Sequence, residues 1–168
     1  MRKLVLFIAL ATASLVSAQT EKGNYMVETA VLSNNLAPNT GIGYTSVEDG
    51  GSTFNVGLNG GYFIEKNLAV KAGLGYGVNR FEGQTTSEMW SYRGGLEYSF
   101  LGKFPVEVAY TGASVPNTVT RSYVSTQLGY NWFATKNVGI KFLTRYDFST
   151  KNEYKDIVSV GVGLGYYF

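Results

Sequence analysis

The sequence contains no cysteine and no histidine, and only 3 of its 168 residues are proline. These absences exclude disulfides, thiolate or imidazole metal ligands, and nucleophilic sites built on Cys or on a Ser-His-Asp triad. Charge of one sign is also lacking, because 14 Lys and Arg stand against 12 Asp and Glu. The composition therefore gives no reason to expect an enzyme, a cofactor or a nucleic-acid partner.

Glycine and aromatic residues are abundant instead, with 21 Gly, 13 Tyr, 10 Phe and 2 Trp. In a chain whose length suits one domain, this composition indicates extended, aromatic-rich strands rather than helices or disorder.

The first eighteen residues have the order of a secretory signal peptide. Arg2 and Lys3 precede an apolar run over residues 4–16, and Ala18 ends a short cleavage context of small residues. A membrane anchor would need about 20 apolar residues, which this run does not reach. We predict export and cleavage after Ala18, which leaves residues 19–168 as one domain with equal numbers of acidic and basic side chains.

Beyond residue 18 the chain alternates apolar and polar positions with a period of two. Over residues 138–149, apolar or aromatic side chains dominate the even positions, and most odd positions hold glycine, polar or charged side chains such as Lys141 and Arg145. Such alternation is typical of a β-strand with two different faces. The same test predicts eight strands, near residues 24–32, 53–63, 68–79, 89–100, 106–114, 121–133, 138–149 and 156–168.

The predicted connections are short and long in alternation. Tight turns are expected at 64–67, 101–105 and 134–137. The other connections are mostly longer and more polar, and they lie at residues 33–52, 80–88, 115–120 and 150–155. This pattern predicts an antiparallel up-and-down meander with the short turns at one end and the long loops at the other.

The two strand faces differ in a way that indicates a membrane barrel. Aromatic residues gather on the apolar face, whereas glycine and charge gather on the other. Glycine suits a crowded concave face, eight strands close on an interior that side chains just fill, and such strand lengths suit a bilayer crossing. Because lipid cannot satisfy a free strand edge, we predict an all-β, closed eight-stranded antiparallel transmembrane barrel. The alternative is a soluble, lipocalin-like barrel whose apolar face encloses a ligand.

Charged side chains on the polar face are balanced in sign. Unpaired charges in a tightly filled lumen would be very costly, so we expect a charge-paired plug, with Lys71 and Glu97 as the first pair to examine. The competing interpretation is that Arg93, Lys141 and Arg145 line a narrow solute path. The full set of predicted lumen charges is Glu28, Lys71, Arg93, Glu97, Glu107, Lys141, Arg145 and Asp147.

Four predicted strands end alike, with aromatic residues that close on Phe63, Phe100, Phe133 and Phe168. Amphipathic rings at one edge of a barrel are typical of an interfacial belt at headgroup level. The predicted belt comprises Tyr62, Tyr98, Phe100, Tyr130, Trp132, Tyr166 and Phe168.

Over residues 19–168 the sequence resembles the small eight-stranded outer-membrane barrels of the OmpX and OmpA-transmembrane-domain kind, within the broad "outer membrane protein beta-barrel domain" group. The sharpest motif is the last strand, where Gly163, Tyr166 and Phe168 resemble that family's C-terminal assembly signal. The resemblance implies a monomer in the outer membrane of a Gram-negative-type envelope. It also implies contact with outer-membrane lipid, and with periplasmic chaperones and the barrel-assembly machinery during biogenesis.

Two function classes remain open at this point. The first is outer-membrane structure or surface interaction through loops 33–52 and 80–88, with Tyr44 as an exposed aromatic of the first loop. The second is porin-like or lateral passage of small or apolar solutes. Lipid-modifying enzymes of this membrane typically resemble hydrolases that use Ser and His, and this chain has no histidine.

Overall fold

A computed structural model describes residues 19–33, 40–47, 51–80, 86–114, 120–151 and 154–168, and the predicted signal peptide lies outside these described residues. Strand makes up 79% of the described chain. In the described ranges no helix is long and apolar enough to cross a membrane. The strands are β1 (Tyr25–Leu32), β2 (Gly43–Val47), β3 (Gly51–Glu65), β4 (Leu68–Arg80), β5 (Ser87–Phe100), β6 (Phe104–Ser114), β7 (Arg121–Phe133), β8 (Val138–Ser149) and β9 (Ile157–Tyr167).

The strands form one antiparallel sheet that closes on itself. Each strand from β2 to β8 pairs with the next along the chain, and β1 pairs with β9 through a register that includes Met26 opposite Tyr167. The other edge of β1 pairs with β3, with Tyr25 opposite Tyr62. The short strand β2 pairs with the same edge of β3 as β1 does, but nearer the other end of β3. Together β1 and β2 form one of eight strand positions in the barrel wall. The predicted fold is confirmed.

The observed strands match the predicted ones closely, with one correction. Residues 33–52 were expected to form a single long loop, but they contain β2, and β3 already begins at Gly51. Gly43 pairs with Asn55 and Val47 with Gly51. β2 therefore continues the wall beside the first residues of β3, which β1 does not reach. Residues 34–39 and 48–50 of this segment lie outside the described residues.

The short turns and both ends of the described chain share one rim, which we call the short-turn rim. It contains the turns at 66–67, 101–103 and 134–137. Asn67 and Leu101 have positive φ values of 64° and 52°, which tight strand connections require. The backbone N–H of Tyr25 donates to the carbonyl of Phe168 at 2.7 Å, which brings the ends of β1 and β9 together. The opposite rim is the long-loop rim.

The two faces of the wall are inverted relative to a soluble protein. On β8, Phe142 and Phe148 are exposed on the outside, whereas Lys141, Arg145 and Asp147 are buried inside. A lipocalin-like barrel needs the opposite arrangement, with the apolar face around the ligand. The lipocalin-like alternative is therefore wrong for this chain.

A small apolar cluster fills the lumen at the short-turn rim. Met26, Phe63, Ala69 and Tyr167 are buried together, and Phe133 packs against Tyr167 with ring centroids 5.2 Å apart. The closing phenylalanines therefore do not all face the same way: Phe63 and Phe133 point inward, whereas Phe100 and Phe168 point outward. In β3 and β7 the preceding residue already faces outward, so alternation turns the last Phe toward the lumen.

The wall is interrupted between β1 and β3. β1 pairs with β3 only through residues 25–28, which lie opposite residues 59–62 of β3. β2 pairs with β3 only at residues 51–55. Within the described residues, no strand pairs with positions 56–58 of β3 on this side. Residues 40–42 fill the gap: Thr40 and Gly41 are buried in the lumen, whereas Ile42 is exposed outside and its N–H donates to the carbonyl of Ala30 at 2.9 Å. We call this region the seam (residues 29–32, 40–42 and 56–58).

Gly57 allows the chain to pass through the seam, and its replacement should destabilise the barrel. A Cβ at Gly57 would lie 2.5 Å from the carbonyl carbon of Thr40. We expect Gly57→Ala to lower the free energy of unfolding by about 1–3 kcal/mol, because the backbone must shift to relieve the overlap. Urea titration of the refolded barrel in lipid vesicles, followed by tryptophan fluorescence, measures this change.

The matched control is Gly60→Ala on the same strand. A Cβ at Gly60 meets nothing within 4 Å, so this substitution should leave the unfolding midpoint close to that of the unmodified protein. Equal losses from the two substitutions would show that contact with Thr40 is not the cause.

Candidate functional site

All eight predicted lumen charges face the inside of the barrel. Each lies at an inward position of an alternating strand, and the strands that carry them are β1, β4, β5, β6 and β8. Seven of the eight residues are buried, and the side chain of Glu28 is 11% exposed. The eight are Glu28, Lys71, Arg93, Glu97, Glu107, Lys141, Arg145 and Asp147.

Five of these residues form one ion-pair network, which we call the central cluster (Glu28, Lys71, Glu97, Glu107 and Lys141). Lys71 Nζ lies 2.9 Å from Glu97 Oε2 and 2.8 Å from Glu107 Oε2, and it also contacts Glu28 Oε1. Lys141 Nζ lies 2.6 Å from Glu28 Oε2 and 2.8 Å from Glu97 Oε2. The structure thus brings Lys71 and Glu97 together, but inside a network in which each lysine bridges two or three carboxylates.

Of the three remaining charges, Arg93 extends the network, whereas Arg145 and Asp147 form a further ion pair in the lumen. Arg93 Nε donates to Glu107 Oε1 at 2.8 Å. Arg145 Nε donates to Asp147 Oδ2 at 2.8 Å, and the hydroxyl of Ser125 donates to the other oxygen of Asp147. The cations and carboxylates of the interior are thereby paired with each other rather than left to face the lumen separately.

Neutral polar side chains support these ion pairs, and the sequence reading missed them. Gln127 Nε2 donates to Glu107 Oε2 at 3.3 Å, and the hydroxyls of Thr111 and Ser125 lie 2.6 Å apart. Their inward position follows from strand alternation, so the same test that found the charges could have found them.

The three glutamates are also the group that could hold a metal ion. Carboxylate oxygens of Glu28, Glu97 and Glu107 lie within 4.8 Å of one another. The ammonium group of Lys71 contacts all three carboxylates, and Lys141 contacts two of them. Since lysine already supplies the positive charge that balances these oxygens, the arrangement is that of a buried salt-bridge network.

Little free space remains beside the network. An internal cavity of about 20 Å³ is lined by Arg93, Lys141 and Arg145 together with Thr40 and Asn59, and it has room for about one water molecule. Thr40 Oγ1 donates to Asn59 Oδ1 at 2.6 Å and helps to fill the lumen from the seam. The three cations considered as a solute path line this small cavity in the described part of the barrel.

The predicted belt residues lie on the outer surface, toward the short-turn rim. Neighbouring rings contact one another, with centroids 4.7 Å apart for Tyr98 and Phe100 and 5.9 Å apart for Tyr166 and Phe168. The sequence reading missed Tyr25, whose ring lies 4.9 Å from that of Tyr62. It also missed Phe104, which lies 5.4 Å from Tyr130. The outward residues are Tyr62, Tyr98, Phe100, Tyr130, Trp132, Tyr166 and Phe168.

A second group of outward aromatics lies toward the long-loop rim. The rings of Tyr76 and Trp90 are 5.0 Å apart, and those of Tyr146 and Phe148 are 4.4 Å apart. The strands between the two groups carry exposed aliphatic side chains, such as Leu96. The outer surface is therefore an apolar band between two belts of aromatic side chains, which is the surface typical of a transmembrane barrel.

The residues of the C-terminal motif are divided between the two faces of β9. Tyr166 and Phe168 point outward, whereas Gly163 faces the lumen beside the carbonyl of Thr29. Two segments were considered for surface interaction. In the first, Tyr44 is exposed and lies on β2. Residues 81–85 of the second loop lie outside the described residues.

No protein-family model matches the sequence, and no curated protein matches it. Several solved structures share its fold. The outer-membrane protein Ail of Yersinia pestis in a phospholipid nanodisc has a TM-score of 0.55 at 12% identity, covering 88% of this chain and 100% of that one. The N-terminal β-barrel domain of Pseudomonas aeruginosa OprF has a TM-score of 0.50 at 13% identity, covering 88% and 98%. A de novo designed transmembrane β-barrel has a TM-score of 0.51 at 16% identity, covering 89% and 99%. The chain has the fold of small eight-stranded outer-membrane β-barrels.

Proposed function

We propose that the chain is an integral outer-membrane β-barrel protein with a closed lumen, acting in envelope structure or in surface interaction through its long loops. The observation that carries the proposal is the central cluster. Lys71 Nζ lies 2.8–2.9 Å from two buried carboxylates, and this network fills the middle of the barrel with paired charge. A lumen closed in this way leaves the outer surface and the loops as the parts that meet other molecules.

The dimensions of the apolar band support membrane placement. On β5 the outward aromatics Trp90 and Phe100 lie ten positions apart. At about 3.3 Å per residue and a strand tilt of about 40°, this distance corresponds to about 25 Å along the barrel axis. That height agrees with the apolar band of about 25 Å found on outer-membrane barrels.

Orientation and assembly follow from the same proposal. We place the short-turn rim, with both ends of the described chain, on the periplasmic side, and the long-loop rim on the outside. Tyr166 on β9 and Phe168 directly after it would present the C-terminal signal to the barrel-assembly machinery, after delivery by periplasmic chaperones. The connections between β2 and β3 and between β4 and β5 would then face the cell exterior, with the protein as a monomer in contact with outer-membrane lipid.

Conductance of the refolded barrel in a planar lipid bilayer tests whether the lumen is closed. For residues 19–168 we expect no discrete conductance steps, because the cavity beside the central cluster accommodates about one water molecule. A heat-dependent gel shift confirms folding in the same preparation.

Reproducible steps would contradict a closed lumen and would favour porin-like passage. They would have to respond to Arg93→Ala or Arg145→Ala, which line the cavity. They should not respond to Lys66→Ala, the matched control, because Lys66 lies in an exposed turn outside the lumen.

A further inference from the structure

The outer surface of the seam holds an apolar groove of about 390 Å³. The groove lies where neither β1 nor β2 pairs with β3. In the described chain, no strand is hydrogen-bonded to residues 56–58 on that side. Its walls are Val56, Leu58, Leu74 and Trp90, and Ile42 borders it on the side of residues 40–42.

The chemistry of the groove fits a slender apolar ligand. The hydroxyl of Thr29, which also lines it, already donates to the carbonyl of Gly57 at 3.0 Å. A volume of 390 Å³ is at the lower end of the range for small-molecule sites. Apolar walls of this size leave room for one narrow chain rather than for a bulky ligand.

The position of the groove gives the direction of that ligand. Tyr76 and Trp90 lie at its end nearer the long-loop rim, and Leu58 pairs with Leu74 at its other end. Amphipathic rings sit at headgroup level, so a bound lipid would have its polar end beside Trp90 and its chain running past Leu74 toward the middle of the membrane.

We propose that the groove is a specific site for one acyl chain of a bilayer lipid from the leaflet at the long-loop rim. This proposal rests on the proposed membrane placement. The bound chain packs against the apolar side chains beside the part of the wall that lacks a strand ladder, where the carbonyl of Gly57 already accepts from Thr29 and needs no partner from the lipid. Thr40 and Gly41 line the internal cavity and Ile42 lines the groove, so residues 40–42 separate the lipid chain from the charged lumen.

Fluorescence quenching by brominated lipid tests the proposal, because the two tryptophans report on different places. Trp90 lines the groove, whereas Trp132 is exposed outside near the opposite rim. Trp132→Phe and Trp90→Phe give two single-tryptophan barrels, refolded in phosphatidylcholine vesicles that contain small, increasing fractions of a brominated fatty acid, whose single chain competes with the two-chain lipid for the groove. At low fractions, where occupancy follows mass action, we expect Trp90 to be quenched about twofold more than Trp132.

Filling the groove should remove this preference. In the Trp132→Phe background, Val56→Phe places a ring in the groove and should reduce quenching of Trp90 to the level of Trp132. The control Val108→Phe makes the same change at an outward position of β6, far from the seam, and should leave the preference intact.

The outcomes separate this inference from the proposal on which it rests. Equal quenching of the two tryptophans, or a loss of preference with Val108→Phe as large as that with Val56→Phe, would overturn the acyl-chain site while leaving membrane placement standing. Absence of quenching at both tryptophans in a folded barrel would instead contradict membrane placement itself.

Discussion

Lys71→Met should destabilise the barrel by about 3–5 kcal/mol, because removing one partner of a buried ion pair leaves uncompensated charge. Lys71 is 3% exposed and bridges Glu28, Glu97 and Glu107. Without its ammonium group, three neighbouring carboxylates would share Lys141 and Arg93 alone. Urea unfolding of the refolded protein in lipid vesicles, followed by tryptophan fluorescence, measures the loss.

Two comparisons make this result specific to the network. Lys66→Met removes an exposed salt bridge to Glu21, with its atoms 3.0 Å apart, and should cost less than about 1 kcal/mol. Adding Glu97→Gln to Lys71→Met restores the balance of charge, so the double variant should be more stable than the sum of the single losses predicts. Strict additivity of Lys71→Met and Glu97→Gln would contradict a shared network.

Leu96→Arg should destabilise the barrel in a bilayer by about 2–4 kcal/mol, the cost of an arginine at the midplane of the lipid-facing surface. Leu96 is 51% exposed on β5, between the outward aromatics Trp90 and Phe100. In a soluble protein a leucine with this exposure could become arginine at little cost. The free energy of unfolding in vesicles therefore reports whether lipid or water surrounds this surface.

The control for this substitution is Leu101→Arg. Leu101 is 84% exposed and lies in the turn between β5 and β6, beyond the belt of aromatic side chains near the short-turn rim. Arginine there meets water and headgroups, so the loss should be close to zero. Similar small losses at both positions would count against membrane placement of the apolar band.

Strand alternation alone predicted most of the barrel. The seven strands from β3 to β9 and the lower strand β1 have local patterns long enough to place them, because inward and outward positions repeat every two residues. The same repeat predicted that Lys71, Glu97 and the other six charges share one face. It did not predict their partners: Lys71 was paired with Glu97, but its contacts with Glu28 and Glu107 depend on which strands the closed barrel brings opposite one another.

The seam could not be predicted in this way. Residues 33–52 carry the polar, glycine-containing composition of a loop, yet they contain β2. β2 forms there because β3 is longer than its partner β1, which leaves residues 51–55 of β3 free to pair with it. The inward turn of Thr40 likewise depends on Gly57, a neighbour in space that lacks a Cβ. Neither feature has a local signal, since each depends on what lies across the sheet.

The sequence by itself determined the number of main strands, the division into two faces and the set of residues that the lumen contains. These properties are local, because each strand carries its own alternation. Only the tertiary structure decided how closure joins β1 to both β9 and β3, which carboxylates each lysine contacts, and where the wall opens to form the groove. Those properties belong to residues far apart in the chain, and they exist only once the sheet has closed.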